Sequence, residues 1–378
     1  MAGVRTVEEL LQLAPNAYEI AIFGAEPHPN YNRILLSPVL AGEKSLSDIV
    51  LNGDDWYAEH GIRLYKGSAV TRIDRAARRV VAVDGTCVHY DRLLLATGSQ
   101  PVVLPLPGVG LPGVVTFRDI QDVETMLETG RSGRHAVVIG GGLLGLEAAA
   151  GLHRRGMDVT VVHLLDSLMD RQLDRAASGL LRATLEARGL RFLMEVKTEA
   201  ILGVDRVQGV RFADGRELPA DLVVMAVGIR PNIDLAKAAG LYCERGVVVG
   251  DTLQTYDPCI YAVGECVQHR RQTYGLVAPL FEQARVCANH LAELAYARYE
   301  GSVTATRLKV TGVDLFSAGD FRGGDGGEEI VFQDAARGVY KKLVLRDRRI
   351  VGAVLYGETL DGSWYFDLMR DKVDVSGM

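Results

Sequence analysis

Gly140, Gly142 and Gly145 stand in the spacing G-x-G-x-x-G, and what flanks them constrains the fold more than any other feature of the chain. An apolar run, Ala136 to Ile139, precedes them; Leu146, Glu147 and an alanine-rich helix follow, and a second apolar strand runs from Val159 to Val162. In 378 residues with 42 glycines the spacing alone decides little. A strand before it, a helix after it and a strand beyond make it a βαβ unit of the dinucleotide-binding kind. In such a unit one glycine makes the tight turn, one lets backbone approach a pyrophosphate, and one packs the helix on its strand. The pyrophosphate then sits on the helix N-terminus, where unbonded N–H groups and the dipole favour an anion. These three glycines are therefore candidate dinucleotide ligands; the alternative is a glycine-rich helix-packing motif.

An internal repeat points the same way. Val81 to Pro101 reads VAVDGTCVHYDRLLLATGSQP, and Val210 to Asn232 reads VRFADGRELPADLVVMAVGIRPN. Each is a strand, a turn at Asp84-Gly85 or Asp214-Gly215, a second strand, and a buried strand ending in a glycine turn at Gly98 or Gly228. Two copies imply two dinucleotide-binding halves. Gly145 precedes Gly228 by 83 residues and Gly3 precedes Gly98 by 95, the excess of about a dozen being expected within Asn30 to Lys44. An amphipathic helix follows Gly3, with Val4, Val7, Leu10 and Leu11 on one face, then an apolar strand, Ile20 to Phe23, ending near Glu26. Gly3 is thus expected to be the last glycine of a first fingerprint whose strand and first two glycines fall ahead of Met1. The alternative is an ordinary N-terminal helix. A chain lacking those elements is expected to hold its nucleotide poorly. Glu26 falls where a carboxylate binds ribose hydroxyls, or it is a solvated loop residue. Asn30 to Lys44, NYNRILLSPVLAGEK, reads as an irregular, apolar cofactor wall with one embedded arginine.

Charge and cysteine content narrow the class. The net charge is −6 with both signs mixed, and no basic patch points to nucleic acid or an anionic membrane. The longest mostly apolar segment, Ala136 to Leu152, is broken by glycines and carries Glu147, which makes it a poor membrane span. No signal peptide is visible. Cys87, Cys243, Cys259, Cys266 and Cys287 form no CxxC or CxxxxC pair. A reducing cytoplasmic setting, with no structural metal and no internal redox disulfide, is expected.

The motifs PNYNRILLSPVLAG (29 to 42), LLLATGSQP (93 to 101), VVIGGGLLGLEAA (138 to 149), VTVVHLLDSLMDRQLD (159 to 174), VGIRPN (227 to 232) and IYAVGEC (260 to 266) span nearly the whole chain. On them the chain resembles the two-dinucleotide-fold flavoprotein reductases, and within these the FAD- and NAD-binding part of the large subunit of assimilatory NAD(P)H nitrite reductase. The resemblance implies an α/β fold with two Rossmann-like domains, the FAD domain split around the NAD domain, plus a small α+β C-terminal interface domain. The expected limits are 1–115 and 233–300 for the FAD domain, 116–232 for the NAD(P) domain and 301–378 for the C-terminal domain.

Residue roles follow from the same resemblance. Glu265, just beyond Gly264, matches the acid that binds the FAD ribityl chain. Pro279 opens the segment PLFEQAR, which matches the helix whose N-terminus faces the flavin pyrimidine, and it suits a first helical position. Arg33 and Ser37 match an FAD-contacting loop, and Thr97 with Gly98 the turn near the flavin. Glu147 has its counterpart beside the nicotinamide, as the candidate catalytic residue; the alternative is a helix-surface glutamate. Lys44 either approaches the flavin ring or is solvated. Thiol-active relatives carry a redox cysteine where this chain has Leu36-Ser37-Pro38, so thiol chemistry is disfavoured. His163 ends the second strand of the NAD half at the cofactor; Asp166 is close and the next arginine is Arg171, which favours NADH over NADPH. The activity implied is hydride transfer from NAD(P)H to FAD, then electron delivery to a partner protein or domain carrying an iron–sulfur cluster and sirohaem, with a homodimer allowed. The alternatives are a stand-alone rubredoxin or ferredoxin reductase, and a flavin-poor NADH-binding remnant.

Overall fold

The runs read as buried strands assemble into a five-stranded, all-parallel sheet in the order Arg191–Leu193, Asp158–Val162, His135–Ile139, Leu222–Met225, Val114–Thr116. Parallel strands are covered on both faces, which is why they read as unbroken apolar runs rather than alternating ones. Ala136, Val137 and Val138 are no more than 1% exposed in this computed structural model, which describes residues 1–324 and 326–377. The Asp221 carboxylate sets the start of the central strand, accepting the N–H groups of Arg134 (2.7 Å) and His135 (2.9 Å). Those two bonds to the charged form hold its pKa below the usual carboxylate range.

Contacts divide the chain into two compact units, one made of Met1–Arg33, Ser47–Gln100 and Ile229–Ser302, the other of Ile34–Leu46, Pro101–Gly228 and Val303–Met378. The five-stranded parallel sheet belongs to the second. So does a five-stranded antiparallel sheet in the order Ala305–Arg307, Leu315–Gly319, Arg349–Tyr356, Val339–Arg346, Glu328–Asp334. Its central hairpin turns at Asp347 and Arg348, both at positive φ (49° and 57°), the geometry that matches the twist of paired strands. The helix Gly362–Arg370 covers one face of this sheet, burying Leu368 and Met369 with Phe316 and Leu355.

In the first unit the helices Ala2–Leu13 and Val277–Leu291 pack together. Its parallel strands form two separate pairs, Ala21–Phe23 with Arg63–Tyr65 and Leu93–Leu95 with Ile260–Ala262. In the second unit one central strand, His135–Ile139, ladders with neighbours on both sides; among the described residues of the first unit no strand joins the two pairs.

Both copies of the repeat are present. Three antiparallel strands, Val70–Asp74, Arg79–Ala82 and Cys87–His89, precede Leu93–Leu95; Thr198–Gly203, Val207–Phe212 and Glu217–Pro219 precede Leu222–Met225. Gly85 and Gly215 share a φ of +85°, and in each turn the preceding aspartate accepts the N–H two residues on, Asp84 from Thr86 at 2.8 Å and Asp214 from Arg216 at 3.0 Å. Such Asx turns explain why Asp-Gly marks both hairpins.

The segment expected to be irregular is partly helical, with a short 3-10 turn at Arg33–Leu35 and a helix at Leu36–Leu40. Leu36, Val39 and Leu40 are buried in the second unit, against the helices Ile120–Gly130 and Leu143–Arg154. A Cβ on Gly151 would stand 2.9 Å from Leu40 Cγ, so that glycine lets the two helices close up. The apolar content of the segment is explained by this helix contact. Pro279 also departs from expectation. It is the third residue of the helix Val277–Leu291, not the first, a position that tolerates proline because first-turn N–H groups have no intrahelical acceptor.

Candidate functional site

The three fingerprint glycines have three separable jobs. At Gly140 the backbone turns at φ +121°, and a Cβ there would lie 2.3 Å from the Ala226 carbonyl oxygen. A Cβ on Gly145 would stand 1.9 Å from the Gly140 carbonyl oxygen, so this glycine seats the helix Leu143–Arg154 on the turn. Gly142 is the N-cap of that helix, with φ −83° and ψ −176°, and a Cβ there would meet no protein atom within 4 Å. Protein packing therefore demands glycine at two positions and leaves the third facing open space. That space lies at the N-terminus of a 12-residue helix whose first N–H groups lack intrahelical partners, a setting that fits a pyrophosphate.

His163 lies beneath this turn. Its Nδ1 accepts the Gly141 N–H at 3.1 Å, and a Cβ on Gly141 would strike both the imidazole and Leu168. With Nδ1 accepting, the proton of the neutral ring is on Nε2, 4.0 Å from Asp170. Burial favours this neutral form and lowers the histidine pKa against the opposing pull of Asp170. The ring thus orders the glycine turn. Asp166 pairs with Arg175 at 2.6 Å on the exposed surface nearby.

Glu147 is 3% exposed, far from a surface glutamate. It accepts hydrogen bonds from the Ser37 hydroxyl and from the Lys309 backbone N–H (2.9 Å), so one carboxylate ties three segments of the second unit together. Burial raises its pKa above the ordinary value, outweighing Ser37 and the Lys309 charge. Lys44, in the same unit, has an exposed side chain.

In the first unit, Glu26 follows the strand Ala21–Phe23 and is held by two partners, the Tyr31 hydroxyl at 2.6 Å and Arg33 Nη2 at 2.5 Å. Arg33 also lies over the Tyr31 ring, 5.1 Å from its centroid. Burial pushes the Glu26 carboxyl up, but the Arg33 charge and the two hydrogen bonds prevail and its pKa is lowered. Gly3 allows a close approach of the N-terminal helix, since a Cβ there would be 2.9 Å from that of Ala96. The Thr97 hydroxyl donates to the Asn232 carbonyl (2.7 Å), and the Asn232 N–H returns to the Gly98 carbonyl (2.9 Å), fixing a turn in which Gly98 takes φ +67°. Glu265 accepts from the Ser99 hydroxyl at 2.7 Å, next to Gly264 at φ +94°. Gly228, at φ +119°, opens onto space in the second unit.

Tyr31, Ser99 and Lys309, which bond the candidate carboxylates, were not singled out by their place in the sequence. Lys309 contributes only a backbone N–H, and Ser99 meets its partner across 166 positions. Tyr31 lies only five residues from Glu26, the carboxylate it bonds. Its role is testable. Tyr31→Phe should cost about 1.5–3 kcal/mol near neutral pH, the worth of a hydrogen bond to a charged group. Because the Glu26 pKa is lowered on folding, that contribution exists above its unfolded pKa and is lost as pH falls through the folded one. Urea midpoints of the two proteins should therefore converge in acid; a gap independent of pH would show that the phenol acts by packing alone.

Among the described residues no group of three or more His, Cys, Asp or Glu stands together to hold a metal ion, and no helix is long and apolar enough to cross a membrane.

The chain matches the pyridine nucleotide-disulphide oxidoreductase family over residues 1–290 and the rubredoxin NAD+ reductase C-terminal domain over 305–373. It is 52% identical to nitrite reductase [NAD(P)H] of Bacillus subtilis (strain 168), over 100% of this chain and 47% of that protein. It is 46% identical to the assimilatory nitrate reductase electron transfer subunit of the same organism, over 100% of this chain and 49% of that protein. The chain thus spans about half the length of these curated relatives. Among solved structures it is similar to the covalent putidaredoxin reductase–putidaredoxin complex, with a TM-score of 0.90 at 27% identity, covering 99% of this chain and 91% of that one.

Proposed function

Because the chain belongs to the pyridine nucleotide-disulphide oxidoreductase family, whose members bind FAD and NAD(P)H, we propose that it is the electron-input module of nitrite reduction in nitrate assimilation. The turn at Gly140, Gly142 and Gly145 holds the NAD(P)H pyrophosphate, and the open space at Gly142 is the observation that carries this reading. Glu26 and Arg33 take the adenosine end of FAD, Glu265 its ribityl chain, and the N-terminus of the helix at Pro279 the pyrimidine. The flavin supplies the conversion of a hydride into single electrons. The chain's own residues bind, orient and exclude water, and Glu147 holds a fixed carboxyl on the helix that follows the dinucleotide turn. NADH is the favoured donor on the strength of Asp166, although Arg175 beside it supplies a cation as well. The acceptor is a partner protein or domain with an iron–sulfur cluster and sirohaem, and the module works in the cytoplasm, where five unbonded cysteines suit a reducing setting. A homodimer is part of the same reading.

The match of residues 305–373 to a rubredoxin reductase domain favours a second reading, a stand-alone reductase of rubredoxin or ferredoxin. A panel of acceptors separates the two. The purified protein, reconstituted with FAD, is expected to oxidise NADH with ferricyanide and to prefer a sirohaem and iron–sulfur domain over small iron–sulfur proteins. The reverse preference selects the second reading, and no flavin reduction by either NADH or NADPH refutes both. Alkylation should leave ferricyanide turnover largely intact. Cys266 and Cys287 are fully buried with pKa values raised by burial, and Ser37-Pro38 offers no thiolate. Loss of turnover without unfolding would reveal a catalytic cysteine.

A further inference from the structure

Helix Val277–Leu291 and the Gly264–Glu265 turn are joined by one buried side chain that no assigned role accounts for. Gln283 is 0% exposed, and its Oε1 accepts the Gly264 N–H at 2.8 Å. We propose that Gln283 is a positioning residue for the flavin site, fixing the turn that presents Glu265. The inference rests on the reading of Glu265 and the helix N-terminus as FAD contacts.

Gly264 sits in the left-handed region, at φ +94°, and is buried, so its N–H cannot turn to water for a partner. The turn is fixed on both sides: the Gly264 carbonyl accepts the Val267 N–H at 3.1 Å, and its N–H is satisfied by the glutamine. The next side chain is Glu265, whose Oε2 takes the Ser99 hydroxyl. Gln283 projects from the second turn of the helix whose N-terminus is aimed at the pyrimidine in the proposed site. One amide thereby sets the spacing between two groups that contact different parts of one ligand. Such spacing acts on affinity more steeply than on stability, because a ligand held at both ends tolerates little relative displacement.

Around it the helix is braced by a polar cluster. Ser302 Oγ donates to Glu282 at 2.5 Å and bonds the Tyr299 hydroxyl at 2.8 Å, and the Tyr299 ring makes a tilted contact with His269. The Tyr299 hydroxyl also faces Gln283, but the two bonds of Ser302 do not involve the glutamine, so they should keep the helix docked when Gln283 is replaced and the turn is freed.

The test uses Gln283→Met, which keeps volume and removes the acceptor, and Gln283→Glu, which keeps an oxygen for the Gly264 N–H. FAD affinity of the full chain is read by fluorescence titration, NADH affinity by calorimetry and folding by the thermal midpoint. Gln283→Met is expected to weaken FAD binding about tenfold or more, with NADH affinity unchanged, since losing one buried acceptor is an effect of that order. Gln283→Glu is expected to recover FAD affinity to within about threefold, given that it restores the acceptor. Equal FAD affinity in Gln283→Met and the unsubstituted protein overturns the inference, as does a Glu variant as weak as the Met variant. If the Met variant loses NADH binding too, the residue is a general fold determinant and the inference also fails. Failure of the unsubstituted protein to bind FAD would overturn the functional reading itself, and the inference with it.

Discussion

Replacing Gly142 with valine is expected to cut NAD(P)H affinity by about two orders of magnitude, the loss of one or two charge-assisted hydrogen bonds, while the thermal midpoint falls only by the weaker helix N-cap, worth about 1 kcal/mol. Protein packing does not ask for glycine at this position. Its φ of −83° and ψ of −176° are extended backbone that valine adopts readily, and its Cβ would find no protein atom within 4 Å. The added side chain intrudes only where a pyrophosphate must approach the helix N–H groups. Gly145 gives the control. There a Cβ lands 1.9 Å from the Gly140 carbonyl oxygen, so Gly145→Ala should damage folding and binding together. Calorimetric titration with NADH and NADPH separates the cases, and unchanged affinity in Gly142→Val would remove the pyrophosphate from this turn.

Glu147→Ala should destabilise the protein by about 2–4 kcal/mol, because it strands two buried donors worth about 1–3 kcal/mol each. These are the Ser37 hydroxyl and the Lys309 N–H. Relief from burying a carboxylate offsets part of the loss. Glu147→Gln should be mild, since its carbonyl still accepts from Lys309 and its amide donates to the serine oxygen. Their pH behaviour is distinct. Burial raises the Glu147 pKa above its unfolded value, so its contribution is fully present below the unfolded pKa and is lost as pH rises through the folded one. The unsubstituted protein should thus lose ground to Glu147→Gln as pH climbs, seen as diverging denaturant midpoints. Convergence with rising pH would mean that the carboxylate is stabilised as the anion, contrary to its buried position.

What was legible in the sequence was local. The fingerprint, its flanking strands and the Asp-Gly hairpins announce themselves within a few residues, because backbone geometry at Gly140, Gly85 and Gly215 restricts residue type directly. The position of Glu26 just after a strand was legible too. Tertiary pairings were hidden. Ser37 and Glu147 meet across 110 positions, and nothing near Leu36–Leu40 reveals that Leu40 packs on Gly151. His163 was visible as a strand-end residue, but its bond to Gly141 depends on a ring folding back under the turn. The pattern identifies which backbone must bend; it does not identify which distant side chain satisfies the N–H that bending leaves unbonded.

The interleaving of the two units has a consequence for how this protein is made. Emerging from the ribosome, the chain passes from one unit to the other after Arg33, Leu46, Gln100, Gly228 and Ser302, so neither unit is a continuous length of polypeptide. Leu36, Val39 and Leu40 leave the exit tunnel long before Gly151, the residue whose helix covers them. At a synthesis rate of about 5–20 residues per second, that apolar helix waits uncovered for roughly 5–25 seconds. Collapse of a short segment takes far less than a second, which leaves ample time for association with other nascent chains. Slow translation between Leu46 and Gly151 would lengthen the exposure, whereas a chaperone that shelters short hydrophobic segments near the tunnel would shorten it. The yield of soluble protein should depend on codon speed in that one interval more than anywhere downstream.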